Sequence, residues 1–178
     1  LLSHYSKIAE ICPVDIILYN VPARTGLNIN ADTIITLANQ YTNIIGVKEA
    51  SGDISQCMDL IHHSPDDFMI ISGDDKMTFP IMLLGGVGVI SVQAMALPQL
   101  FSRMVRCVLE KQIDEARKCH YQLMQSVDLF YVDGNPPGVK EALCALKICK
   151  SNQVRLPLVK MKSKNAKMLT ALLKSSEK

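Results

Sequence analysis

Asn43-Ile44-Ile45-Gly46-Val47-Lys48-Glu49-Ala50-Ser51-Gly52-Asp53 passes from an apolar, β-branched run into a charged, glycine-containing end without alternating polar and apolar positions. Short continuous apolar runs bounded by turn residues are how strands buried on both faces of a parallel sheet read. Three other runs share this character: Ile16 to Tyr19, Phe68 to Ile71 and Val87 to Val92. Amphipathic helices are expected between them. One follows Asn30 as N-cap and presents Ile34, Leu37, Ala38 and Tyr41; the next follows Ser51 or Gly52 and presents Ile54, Cys57, Met58 and Ile61. A third opens near Asp74 or Asp75 and stops at Gly85-Gly86. The strand starts are spaced by 28, 24 and 19 residues, a strand-loop-helix repeat that fits the βα units of a barrel or of a doubly wound sheet. No glycine-rich dinucleotide loop follows any of these strands. Gly85-Gly86-Val87-Gly88 precedes a strand and follows a helix, the reverse of phosphate-loop order, and reads as a helix stop and turn.

The same periodicity makes residues 3 to 12 a helix, with Tyr5, Ile8, Ala9 and Cys12 on one face. Beyond Pro98 only helices are expected: Pro98 to Leu109, Lys111 to Tyr131, Pro137 to Ile148 and Ser163 to Leu173, with Gly134-Asn135-Pro136-Pro137 as a break. The reading places a domain boundary after residue 109, with residues 110 to 178 as a helical appendix.

Of the 178 residues, 48% are apolar and 20% charged, the make-up of a soluble globular protein with a sizeable core. The apolar stretch from Phe79 to Val92 is too short and too interrupted by glycine to span a bilayer, so no membrane association is expected. Residues 140 to 178 hold ten of the 19 basic residues, but without interleaved aromatics they read as a solvated surface and not as a nucleic-acid patch. The six cysteines form no C-x-x-C pair and lie within apolar helical patterns, which suits reduced thiols of a cytoplasmic protein.

Ligands of parallel α/β folds bind at the carboxyl ends of the strands. There the four runs end in Tyr19-Asn20, Lys48-Glu49, Ser72-Gly73-Asp74-Asp75 and Ser91-Val92-Gln93. A lysine emerging from the core has a desolvated stem, and burial favours the neutral amine that attacks a carbonyl. Lys48 is therefore a candidate Schiff-base nucleophile; the alternative is a lysine that bends outward to solvent or forms a structural ion pair with Asp53 or Asp74. Tyr19 is its candidate proton relay, or else a core-edge tyrosine. Arg24 is a candidate for bidentate binding of a substrate carboxylate, or else a surface arginine. Glu49 reads as a structural partner or a solvent-facing residue and not as the acid-base group, since successive strand residues diverge in direction. His62-His63 with Asp66 and Asp67 is the one metal-like cluster, but it lies at the opposite end of the strands, so no metal site is expected, nor any cofactor.

Tyr19-Asn20-Val21-Pro22-Ala23-Arg24-Thr25-Gly26, Gly46-Val47-Lys48-Glu49-Ala50-Ser51-Gly52-Asp53, Ser72-Gly73-Asp74-Asp75 and Gly88-Val89-Ile90-Ser91-Val92 closely resemble the dihydrodipicolinate synthase and N-acetylneuraminate lyase superfamily. The resemblance continues through Asn135-Pro136 and Arg155-Leu156-Pro157, and Arg24 with the run Lys48 to Asp53 is more similar to the synthases than to the sialic acid lyases. It implies an α/β fold, a (β/α)8 TIM barrel of which this chain carries the later half, strands 5 to 8, followed by a C-terminal helical domain. It also implies condensation of pyruvate with aspartate semialdehyde in lysine and diaminopimelate biosynthesis. Lys48 would form the pyruvate imine and Tyr19 would relay protons; Arg24 would hold the aldehyde's carboxylate, and Thr25, Gly73 and Ile90 would line the pyruvate pocket. Partners would be the upstream half of the barrel and further copies in a homodimer or homotetramer. The chain opens in a helix without an initiator Met, so an upstream segment is expected, without which Ile16, Ile45 and Ile70 or their immediate neighbours would lack a covering and turnover would be slight. The alternatives are a 2-keto-3-deoxy sugar acid aldolase, an N-acetylneuraminate lyase, or a non-catalytic homologue that binds a keto acid or stabilises an oligomer. The last is motivated by Gln93 and Met95, which depart from the family pattern, as do Ala23 and Gly138.

Overall fold

The computed structural model describes residues 1–175, and by its internal contacts the chain divides into a unit over Leu1–Ile90 and a second from Ser91 onward. The first unit holds helix α1 (Leu2–Ile11), strand β1 (Ile16–Asn20), a single helical turn α2 (Pro22–Thr25), α3 (Ala31–Gln40), β2 (Ile44–Glu49), α4 (Ile54–His63), β3 (Met69–Ser72), α5 (Thr78–Leu84) and β4 (Gly88–Val89). The strands form one parallel sheet in chain order, as expected of strand-loop-helix repeats.

Helix ends follow local chemistry. Asn30 caps α3 by accepting from the Thr33 N–H at 3.0 Å, as its sequence position predicts. The α4 cap is Asp53 instead of Ser51 or Gly52: its Oδ1 accepts from the Ser55 and Gln56 N–H groups, while the Ser51 hydroxyl accepts from the Asp53 N–H and so belongs to the turn before the helix. Helix α5 begins later than expected, because Asp74 accepts from the N–H groups of Lys76 and Met77 and closes a separate turn first. Strand β4 is cut to two residues; the Val87 and Ile90 N–H groups still reach the Ile70 and Ser72 carbonyls on either side of it.

The helices pack on one face of the sheet. Leu18, Val47 and Ile70 meet Ile34, Leu37, Leu60 and Ile81 there in the core of the unit. The four runs read as strands buried on both faces, yet Ile17 on the other face is 42% exposed. Ile70 is turned toward the helices and Ile16 packs against the same core, whereas Ile45 and Ile17, an immediate neighbour of Ile16, are absent from that cluster, so part of the expected opposite face is carried by neighbours of the named isoleucines. An unbroken apolar run does not say which residues face which way; the register does, and it aligns Tyr19, Lys48 and Ile71 across three strands.

The second unit comprises a 3-10 turn (Gln93–Met95), α6 (Pro98–Leu109), α7 (Ile113–Tyr131), α8 (Pro137–Ala145) and α9 (Ser163–Ser175). Helix α6 packs most extensively against α7, and this packing draws the unit boundary ahead of α6, whereas the βα repeat places it after residue 109. Phe130, Val139, Ala142, Leu169 and Leu173 form the core shared by α7, α8 and α9. Gly138 lies against the Phe130 carbonyl so closely that any β-carbon would clash with backbone. No described helix is long and apolar enough to cross a membrane.

Candidate active site

Lys48 and Tyr19 occupy paired positions at the carboxyl ends of β2 and β1. Neighbouring strands lie about 4.8 Å apart, and the lysine side chain bridges that gap: its Nζ stands 4.2 Å from the centre of the Tyr19 ring. The amine is thus held over an aromatic face, a contact in the cation–π range. Lys48 is half-buried and Tyr19 is 43% exposed, so both side chains are reachable from solvent.

The ion-pair alternative for Lys48 finds no support among the described residues. Asp53 caps α4 and Asp74 caps the turn before α5, and neither carboxylate bridges to the lysine. Gly73 comes next to the site by another route. Its N–H donates to the Glu49 carbonyl at 2.7 Å, and a β-carbon there would stand 2.7 Å from the Ala50 β-carbon and 3.1 Å from Lys48 Cε. The lysine stem runs through the space that this missing side chain leaves. Ile90, half-exposed, donates its N–H to the Ser72 carbonyl and extends the sheet edge beyond β4.

Arg24 is exposed on α2, and no ion pair holds its guanidinium among the described residues. That turn ends at Gly26, whose φ of 71° is a left-handed cap suited to glycine. The Thr25 hydroxyl donates to the Leu27 carbonyl at 2.9 Å and accepts from the Leu27 N–H, so its polar atoms serve the loop itself. His62 and His63 are exposed with their rings edge to face, and no described group of three or more His, Cys, Asp or Glu residues could hold a metal ion.

The family model described as the dihydrodipicolinate synthetase family matches residues 1–176. The chain belongs to that family. A dihydrodipicolinate synthetase relative from Flavobacterium psychrophilum, named 4-hydroxy-tetrahydrodipicolinate synthase, is 50% identical over 156 residues, which are 88% of this chain and 53% of the relative. The solved dihydrodipicolinate synthase of Thermotoga maritima superimposes with a TM-score of 0.95 at 34% identity, covering 99% of this chain and 60% of that one. A prophage protein of the family from E. coli K12, solved in complex with pyruvate, superimposes with a TM-score of 0.91 at 26% identity over 99% of this chain and 61% of its own. The chain therefore shares the α/β fold of these family members and spans about half the length of the curated relatives it matches.

Gln93 opens the 3-10 turn that follows β4 in the chain. It is fully buried in the second unit, where its Nε2 donates to the Leu123 carbonyl at 2.8 Å and to Ser126 Oγ at 3.0 Å. These bonds tie the 3-10 turn to α7. Two chain neighbours of Tyr19 and Lys48, Asn20 and Glu49, are also buried, on the helix side of the sheet. The signal for them was present in the sequence: in a strand, the residue after one that faces outward must face inward.

Proposed function

We propose that this chain supplies the imine-forming wall of a 4-hydroxy-tetrahydrodipicolinate synthase, which condenses pyruvate with aspartate semialdehyde. In this reading residues 1–109 are strands 5 to 8 of a (β/α)8 barrel with their helices, and residues 110–178 are a C-terminal helical domain. The upstream half of the barrel closes the site, the assembly is a homodimer or homotetramer, and the setting is cytoplasmic. The observation that carries the reading is the position of the Lys48 amine, 4.2 Å over the Tyr19 ring at the carboxyl ends of two register-paired strands. A pyruvate complex of a family member and the name shared by the curated relatives support it.

The chemistry follows from groups of the chain itself. The neutral amine of Lys48 adds to the pyruvate carbonyl carbon, and the carbinolamine loses water to give a protonated imine. Loss of a methyl proton gives the enamine, whose carbon attacks the aldehyde of the second substrate. The substrate's own amine then displaces Lys48 as the ring closes, which returns the free lysine. Each stage moves a proton, and the phenol of Tyr19 is the group beside the amine able to carry it. Arg24 binds the aldehyde's carboxylate through its planar donor fork, and Thr25, Gly73 and Ile90 border the pyruvate site, Gly73 by leaving room for the lysine stem.

The test is borohydride reduction of the full-length protein in the presence of pyruvate, followed by peptide mass analysis. The expected result is one reduced pyruvyl adduct on Lys48, with pyruvate consumption that requires aspartate semialdehyde. An unlabelled Lys48 in folded protein would rule out the imine route. Consumption without the aldehyde would point to a different second reactant.

A further inference from the structure

Glu49 follows Lys48 on β2, and because successive strand side chains leave opposite faces its carboxylate lies on the helix side, 1% exposed. A carboxylate buried this deeply is tolerated only when donors surround it. Glu49 Oε2 accepts from Asn20 Nδ2 and from Gln56 Nε2, both at 2.9 Å, and Oε1 accepts from the Ser51 N–H at 2.6 Å. Asn20 follows Tyr19 on β1 and is the register partner of Glu49, just as Tyr19 is of Lys48. Its Oδ1 accepts from the Ile29 N–H at 2.9 Å, and its Nδ2 also donates to Asn28 Oδ1 at 2.7 Å. Asn28 in turn donates to Gln56 Oε1 at 2.8 Å. A closed ring of four side chains therefore sits directly behind the reacting pair, and it ties together β1, β2, the first turn of α4 and the loop that follows Arg24.

Resting on the imine reading of Lys48, we infer that Glu49 is a positioning residue: its carboxylate clamps the ends of β1 and β2 so that the Lys48 amine stays over the Tyr19 ring. The clamp requires a carboxylate and not merely a side chain of that shape. Three N–H donors converge on its two oxygens, so an amide at position 49 turns its own NH2 against at least one of them. Asn20 and Gln56 cannot rotate their amides in response without giving up their bonds to the Ile29 N–H and to Asn28. The strain falls on the strand ends, and an ångström of misplacement at a reacting centre costs up to ~10²-fold in rate.

The experiment measures the rate at which pyruvate and borohydride label Lys48 in the full-length protein. Glu49→Gln should slow labelling roughly tenfold or more while cooperative unfolding persists. The exchange variant Asn20→Asp with Glu49→Gln, which returns one carboxylate to the ring with the amide dipoles reversed, should regain part of the lost rate. A residue that only fills space would show no such recovery. Asn28→Ala trims the exposed end of the ring and should slow labelling to a smaller extent; it carries the test if Glu49→Gln does not fold. Parental labelling rates in folded Glu49→Gln, or in Asn28→Ala if that variant must stand in, overturn the inference, as does an exchange variant no faster than Glu49→Gln. Absence of labelling in the parent protein counts against the imine reading itself.

Discussion

Replacing Gly73 by alanine adds one carbon at the tightest point behind Lys48. The new β-carbon would lie 2.7 Å from the Ala50 β-carbon, 3.1 Å from the Glu49 carbonyl oxygen and 3.1 Å from Lys48 Cε. Carbon atoms in ordinary contact stand about 3.5 Å or more apart, so the Ala50 contact requires a retreat of about 0.8 Å. Two of the three neighbours are held by backbone, and the Gly73 N–H is bonded to the same Glu49 carbonyl at 2.7 Å, so the β2 and β3 ends must part to make room. The lysine stem is the flexible neighbour and will move as well, carrying its amine off the Tyr19 ring. Overpacking of this kind costs about 1–3 kcal/mol of stability, and displacement of the amine should slow imine formation roughly tenfold. Denaturant unfolding gives the first quantity and borohydride trapping of pyruvate the second. If Gly73→Ala kept both the stability and the trapping rate of the parent, the tight contact between the β3 loop and the Lys48 stem would be refuted.

Arg24→Lys should raise KM for aspartate semialdehyde and leave Lys48 labelling by pyruvate unchanged, because an ammonium cannot reproduce the guanidinium's two parallel bonds to a carboxylate; equal loss of both activities would contradict that division. Burial, reinforced by the carboxylates of Glu49, Asp53 and Asp74, pushes the Cys57 thiol up to about 12, so almost no thiolate exists at pH 8 and iodoacetamide should modify Cys57 only after unfolding. Modification of native protein at the rate of an exposed cysteine would be the contrary result. Asp133 is held below its ordinary value by the Asn165 amide and by the Lys162 N–H, with the Lys162 ammonium 3.7 Å away. A depressed folded value means that its contribution is present above the unfolded carboxylate range and is lost as pH falls through the folded one. Acid unfolding of Asp133→Asn should therefore show less loss of stability below about pH 4 than the parent; parallel curves would remove Asp133 from the account.

Much of the fold could be read from residues whose consequences are local. Asn30 before an apolar period of 3.6 marks the start of α3, and Pro98 the start of α6, because a cap or a proline acts on its own turn. Where two local signals compete, the sequence does not rank them: Ser51, Gly52 and Asp53 all suit an N-cap, and the structure selects Asp53 because the Ser51 hydroxyl bonds to the Asp53 N–H. The run Val87 to Val92 is apolar throughout, yet the sheet ends within it, since Ser91 Oγ accepts from the Ala94 N–H and opens the 3-10 turn at Gln93. Lys48 and Tyr19 stood out as polar groups at the ends of apolar runs, and their pairing needed only the adjacency of consecutive strands. The ring behind them could not be found this way, because Asn28 and Gln56 lie in a loop and a helix whose approach to Glu49 is set by tertiary packing alone.

Lys48 and Tyr19 stand on sheet strands locked by their neighbours, whereas Arg24 rides on a four-residue turn outside the sheet, closed by a left-handed glycine. On the proposed reading this separates what the enzyme does from whom it does it to. Changes of sequence in residues 22–24 can alter the electrophile while Thr25, which borders the pyruvate site, and Gly26, which closes the turn, are kept, so this short segment is the place where new acceptor aldehydes can be explored by selection or by design, with the pyruvate chemistry inherited intact.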